Sequence, residues 1–84
     1  MKDTLITARQ LMAARALLRW TATQLAQASG VSVTTIRRAE PSDEPLRMIR
    51  ANAEALRRTL EAAGIEFIDP NGGGPGVRLK AGTP

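Results

Sequence analysis

The sequence predicts a mainly α domain: four helices followed by a C-terminal β-hairpin. Three observations carry that expectation. Helix-start signals come in quick succession at Thr7, Thr21 and Ser32. A long segment from Leu46 to Gly64 repeats its apolar residues in steps of three and four. Two short strings, "IEFID" and "GVRLK", alternate apolar and polar residues on either side of "PNGGGPG".

The first helix is expected from about Thr7 to Arg19. Thr7 and Gln10 have the spacing of a capping box, and Ile6 and Leu11 that of its hydrophobic staple. Leu11, Ala14, Leu17 and Leu18 recur at helical spacing, while Arg9, Arg15 and Arg19 lie mostly away from them. The same signals return at once, with Thr21 and Gln24 as the box and Trp20 and Leu25 as the staple. The second helix, "ATQLAQAS", is short, and Gly30 stands where a left-handed residue closes a helix. Ser32 caps a third helix, with Val31 and Ile36 as its staple. That helix runs to about Glu40, and Pro41 ends it.

"PSDEP" reads as a loop into the fourth helix. Ser42 or Asp43 is its expected cap, and Pro45 is tolerated in its first turn. Leu46, Ile49, Ala53, Leu56, Leu60 and Ala63 form an a/d seam. Such a seam packs either on the chain's own first three helices or on a second subunit. Gly64 ends the helix, and the two alternating strings form a hairpin with a longer loop. The expected organisation is a helical domain over 1–64, a hairpin over 65–80 and a frayed end over 81–84, after a loose lead-in over 1–5.

Composition narrows the function. With 84 residues the chain makes one small domain, and its core must be filled by Ala, Leu and Ile, since aromatics are only 2%. Twelve Lys and Arg against eight Asp and Glu leave a net charge of +4, which suits a polyanionic partner, nucleic acid ahead of membrane. Without Cys or His, disulfides, thiol chemistry, His-based acid–base catalysis and the usual zinc sites are excluded. The carboxylates are scattered, so no catalytic site, metal site or cofactor is expected. "NGGGPG" lacks the Lys and Ser or Thr of a phosphate-binding loop and reads as a turn. No run is long enough to cross a bilayer, and the N-terminus has no signal-peptide core. The expected setting is the cytoplasm.

Two short helices separated by "SGVS" make a helix-turn-helix candidate over about 22–40. In such a unit the second helix enters the DNA major groove, with its N-terminal residues at base edges. Ser32 and Thr34 are short hydrogen-bonding groups, and Val33 and the Thr methyls suit a thymine methyl. Arg37 and Arg38 are long enough to reach a guanine by two hydrogen bonds, or a phosphate. Ser32, Val33, Thr34, Arg37 and Arg38 are therefore the expected base-reading residues.

The stretch "TATQLAQASGVSVTTIRRAE" resembles the helix-turn-helix of the Cro/C1-type, or lambda-repressor-like (XRE-type), DNA-binding domains. The resemblance covers about residues 6–40. Leu25, Ala26, Gly30, Val31, Ser32, Thr35, Ile36, Arg38 and Glu40 carry the pattern L-A-x-x-x-G-V-S-x-x-T-I-x-R-x-E. It implies base contacts from Val33, Thr34 and Arg38, with Thr35 and Ile36 facing inward or toward the DNA backbone. It also implies an ion pair between Arg15 and Glu40. Where many relatives carry a glutamine after the cap of the second helix, this chain has Ala22, which leaves only a backbone N–H for a phosphate. Thr21, Ala22, Thr23 and Thr35, with Arg9 and Arg19, are the expected contacts to the DNA backbone.

One long helix and a hairpin stand where relatives have two further short helices. A single helix-turn-helix reads few base pairs, so a homodimer on a palindromic operator is expected. Ile65, Phe67, Val77 and Leu79 give the hairpin an apolar face, and its open edges invite pairing with a second copy; the alternative is that the hairpin folds back over its own helices and leaves a monomer. The leading expectation is a sequence-specific, dimeric transcriptional regulator, a repressor that occupies its promoter. The alternative is an antitoxin-like interaction protein that neutralises a protein partner and binds DNA for autoregulation. A non-specific DNA-coating protein is a third possibility.

Overall fold

A computed structural model describes residues 6–41 and 48–81. Ser42, Asp43, Pro45 and Leu46, expected at the start of the fourth helix, lie outside the described residues, as do 1–5 and 82–84. Four helices and two strands follow in order: α1 (Ala8–Leu18), α2 (Ala22–Ser29), α3 (Val33–Ala39), α4 (Arg50–Ala62), β1 (Ile65–Ile68) and β2 (Gly76–Leu79).

The first three helices begin where their caps dictate. Thr7 Oγ1 accepts the Gln10 N–H at 3.0 Å, and Gln10 Oε1 accepts the Thr7 N–H at 2.8 Å. Thr21 and Gln24 repeat both bonds at the head of α2. Ser32 Oγ accepts the Thr35 N–H at 3.1 Å to start α3. Each cap satisfies amide donors that no intrahelical carbonyl reaches, an effect worth about 1 kcal/mol per helix. The staple residues Ile6, Leu11, Leu25, Val31 and Ile36 are all buried, and Trp20 packs partly buried against them. Gly30 sits at φ 79° and returns its N–H to the Ala26 carbonyl, which closes α2 and turns the chain into α3.

Two details of α1 differ from expectation. It ends at Leu18, because Arg19 takes the left-handed conformation at φ 58°, ψ 36°. The Arg19 N–H then bonds the Ala16 carbonyl and the Trp20 N–H the Arg15 carbonyl, a pattern that usually has glycine at this position. Leu17 is 42% exposed; the inward stripe is Ala8, Gln10, Leu11 and Ala14.

α4 begins later than its apolar repeat suggested. Ile49 has extended backbone (φ −62°, ψ 148°), so it precedes the helix and drops out of the seam, 68% exposed. Met48 packs against the core instead. Ala53, Leu56 and Leu60 are buried, so this part of the seam serves the chain's own core. Arg57 bonds Glu61 one turn on at 3.1 Å and lies 5.3 Å from the centre of the Phe67 ring, which ties α4 to β1.

The hairpin is antiparallel, with Ile65 opposite Leu79, Glu66 opposite Arg78, Phe67 opposite Val77 and Ile68 opposite Gly76. Its apolar face is turned onto the chain's own helices. Ile65 is fully buried and Phe67 9% exposed, β1 packs on α4, and β2 packs on α1. This is the folded-back arrangement, in which the apolar face serves the chain's own helices rather than standing open for a second copy. Ile65 and Phe67 are occupied within the chain, Val77 is half-buried against the same core, and only Leu79, at 38%, is substantially exposed. Gln10 adds a polar anchor: its Nε2 donates to the Gly76 carbonyl at 2.9 Å and the Ile68 carbonyl at 3.3 Å. One buried amide thus caps α1 and closes the loop end of the hairpin.

The hairpin is therefore part of the core. Truncation after Gly64 would uncover Leu56 and Leu60 and strand Gln10. We expect the truncated chain to lose its cooperative thermal transition. A truncation that melts cooperatively near the full chain's midpoint would show that the hairpin is dispensable to the fold.

Candidate nucleic-acid interface

α2 packs on α3, and Ile36 and Ala39 are the buried residues of α3. At 3.6 residues per turn, Thr34, Arg37 and Arg38 fall within roughly a 100° arc on the opposite side of the helix. All three are exposed. The helix therefore presents one short hydroxyl and two guanidinium groups on one continuous face.

The other expected reading residues are placed differently. Val33 is half-buried and packs against the core, so it offers only part of its side chain. Ser32 Oγ accepts the Thr35 N–H and donates its own proton to Thr35 Oγ1 at 2.8 Å. Its one hydroxyl proton is committed within the chain, and only acceptor capacity remains for a partner. Thr35 is half-buried beside it.

At the head of α2, Thr21 and Thr23 are exposed, while Ala22 is 9% exposed and directs its methyl into the core. Arg19 is exposed at the end of α1. Arg9 is exposed too, but it lies beside Gln10 at the hairpin end of α1, about 9 Å along the helix from Arg15 at 1.5 Å per residue.

Arg15 and Glu40 fix this face. Arg15 Nε donates to Glu40 Oε2 at 2.8 Å, and its Nη2 donates to Glu40 Oε1 at 2.9 Å. Its Nη1 donates to the Trp20 carbonyl at 2.8 Å. A single guanidinium thus joins the body of α1, the turn into α2 and the C-terminal cap of α3. Hydrogen bonding to Glu40 raises the Arg15 pKa, opposed by burial and reinforced by the carboxylate's charge. Arg15 therefore stays cationic throughout the useful pH range. The Glu40 side chain is 10% exposed and so is withdrawn from the outer face, where its charge would repel a polyanion.

Two neighbours were not legible from residue spacing. Ile49 and Asn52, at the head of α4, line an open cleft of about 280 Å³ together with Thr35, Arg38 and Met48. The seam pattern placed Ile49 in the core; the extended backbone before α4 is what brings it to Arg38. Among the described residues, no group of three or more Asp and Glu is placed to hold a metal ion, and no helix is long and apolar enough to cross a membrane. No protein-family model matches the chain, and no curated protein matches it.

Two outcomes test this geometry. Glu40→Gln should lower stability toward the low end of the about 3–5 kcal/mol lost when one member of a buried ion pair is removed, since Arg15 is partly exposed. Arg15→Met should do the same. Thermal melts of the double mutant should show strong non-additivity, whereas simple addition would mean that the two residues act independently. Arg19→Gly should stabilise the fold by up to about 1 kcal/mol, because glycine enters the left-handed region without the Cβ clash. The same change should weaken binding to any polyanion that touches Arg19. A fall in the melting midpoint would refute the strain argument.

Proposed function

We propose that this chain is a sequence-specific, double-stranded-DNA-binding transcriptional regulator of the Cro/C1 helix-turn-helix type, acting as a dimeric repressor. α2 and α3 form the reading unit, and α3 enters the major groove. The observation that carries this reading is the face of α3. Thr34, Arg37 and Arg38 share one exposed face, and the Glu40 carboxylate is held inward by Arg15.

In this reading Thr34 and Arg38 face base edges, and Arg37 either joins them or holds a flanking phosphate. Thr21, Thr23, Thr35, Arg19 and the Ala22 N–H fit the sugar-phosphate backbone. Ser32 and Val33 play smaller parts than their positions in the motif suggested, since both are engaged within the chain. Two copies on a palindromic operator supply the affinity that one short reading helix lacks, with half-sites about one helical turn apart. The protein acts by occupying its promoter.

Selection of bound duplexes from a random pool is the direct test: a symmetric consensus supports the reading, and recovery of unrelated sequences contradicts it. Arg38→Ala should cost about 1–3 kcal/mol on the selected duplex and relax the preference at one base pair. Equal losses on selected and scrambled duplexes across several salt concentrations would assign Arg38 to a phosphate instead.

A further inference from the structure

The outer edge of β2 carries backbone groups that the hairpin itself does not use. The pairing register, together with the bond from the Lys80 N–H to the Gly64 carbonyl at 2.8 Å, fixes which backbone groups face inward. Pairs 64/80, 66/78 and 68/76 exchange hydrogen bonds within the hairpin. The N–H and C=O of Val77 and Leu79 therefore point away from β1. Among the described residues, no backbone hydrogen bond outside the hairpin ladder reaches either residue.

The side chains along this edge are equally open. Leu79 is 38% exposed, the Arg78 side chain is 65% exposed, and Lys80 is exposed. Glu66 takes the Nε and Nη2 of Arg78 at 3.2 and 2.9 Å, so one carboxylate faces two cations on this outer surface. An edge unpaired among the described residues, with apolar residues on one face and net positive charge on the other, is half of a strand-addition site.

A second copy fits this edge poorly. Two β2 strands related by a two-fold axis have three registers that pair their outward-facing groups. Centred on Arg78, the register sets Arg78 against its own copy. Centred on Leu79, it sets Arg78 against Lys80. Like charges directly opposite one another are destabilising. Centred on Val77, it sets Leu79 against Pro75, which has no N–H to give. The chain's own edge thus disfavours self-pairing in each register.

We propose that the β2 edge binds an extended segment of another protein that alternates apolar and acidic residues, added as a third strand. Its backbone pairs with Val77 and Leu79, its apolar residues cover the open flank of Leu79, and its carboxylates lie opposite Arg78 and Lys80. This does not depend on the DNA-binding reading.

The test uses the full-length, isotope-labelled chain and amide hydrogen exchange followed by NMR. The probes are a capped peptide alternating Val and Glu, and its counterpart alternating Val and Lys. At low protein concentration without peptide, Val77 and Leu79 should exchange quickly. The Val–Glu peptide should slow both by about tenfold or more while leaving Arg78 unchanged, and the Val–Lys peptide should not. Lys80→Glu, which leaves the Glu66–Arg78 pair in place, should diminish the protection. Slow exchange of Val77 and Leu79 in the free chain would mean that the edge is already covered. Protection that rises with protein concentration would mean that a second copy occupies it. Equal protection by both peptides, or none by either, would show that no acidic strand is recognised. Any of these results overturns the proposal.

Discussion

The placement of α2 and α3 depends on the Arg15 guanidinium. Two of its nitrogens close on Glu40 at the end of α3, and the third closes on the Trp20 carbonyl in the turn before α2. The helices it joins are short, with eight residues in α2 and seven in α3. Helices of that length are not stable in isolation, so their persistence here rests on caps and on tertiary contacts. A lysine could not replace this arginine. Its ammonium lacks the planar fork that meets both carboxylate oxygens while a further nitrogen reaches a carbonyl.

α1 acts as the strut between two polar anchors. Gln10, near its N-terminus, bonds the carbonyls of Ile68 and Gly76 in the hairpin. Arg15, more than one turn later, bonds Glu40 and Trp20. Between them Leu11 and Ala14 are fully buried. The hairpin and the α2–α3 unit are thereby held to the same helix through different residues. The hairpin is consequently part of the core as well as a surface feature. The apolar surface it buries through Ile65 and Phe67 helps so small a domain to form at all.

Much of this architecture was legible in the sequence, for identifiable reasons. Caps are local, so the Thr7, Thr21 and Ser32 signals placed three helix starts, and Gly30 placed the turn between α2 and α3. Strand alternation likewise placed β1 and β2. The Arg15–Glu40 contact is 25 residues apart in sequence and came from resemblance rather than from spacing. What spacing missed were features set by tertiary context. An a/d repeat ran through Ile49 because periodicity does not reveal where the backbone becomes extended. The hairpin's apolar residues looked available because alternation shows that a face is apolar, without showing what covers it. Gln10 read as half of a capping box, and nothing local signalled that its side-chain amide nitrogen would reach the hairpin. Val33 looked outward by motif position but leans on the core, whereas Ser32 caps α3 as its position predicted and stays exposed.

The central claim is that the outer face of α3, held in place by Arg15, reads duplex DNA. Amide chemical-shift mapping during titration with a selected duplex tests it most directly. The account predicts that the largest changes fall on Thr34, Arg37 and Arg38 and on the start of α2, with β1 and the buried side of α4 unaffected. Changes centred on the hairpin, or spread evenly over the arginines wherever they lie, would contradict it.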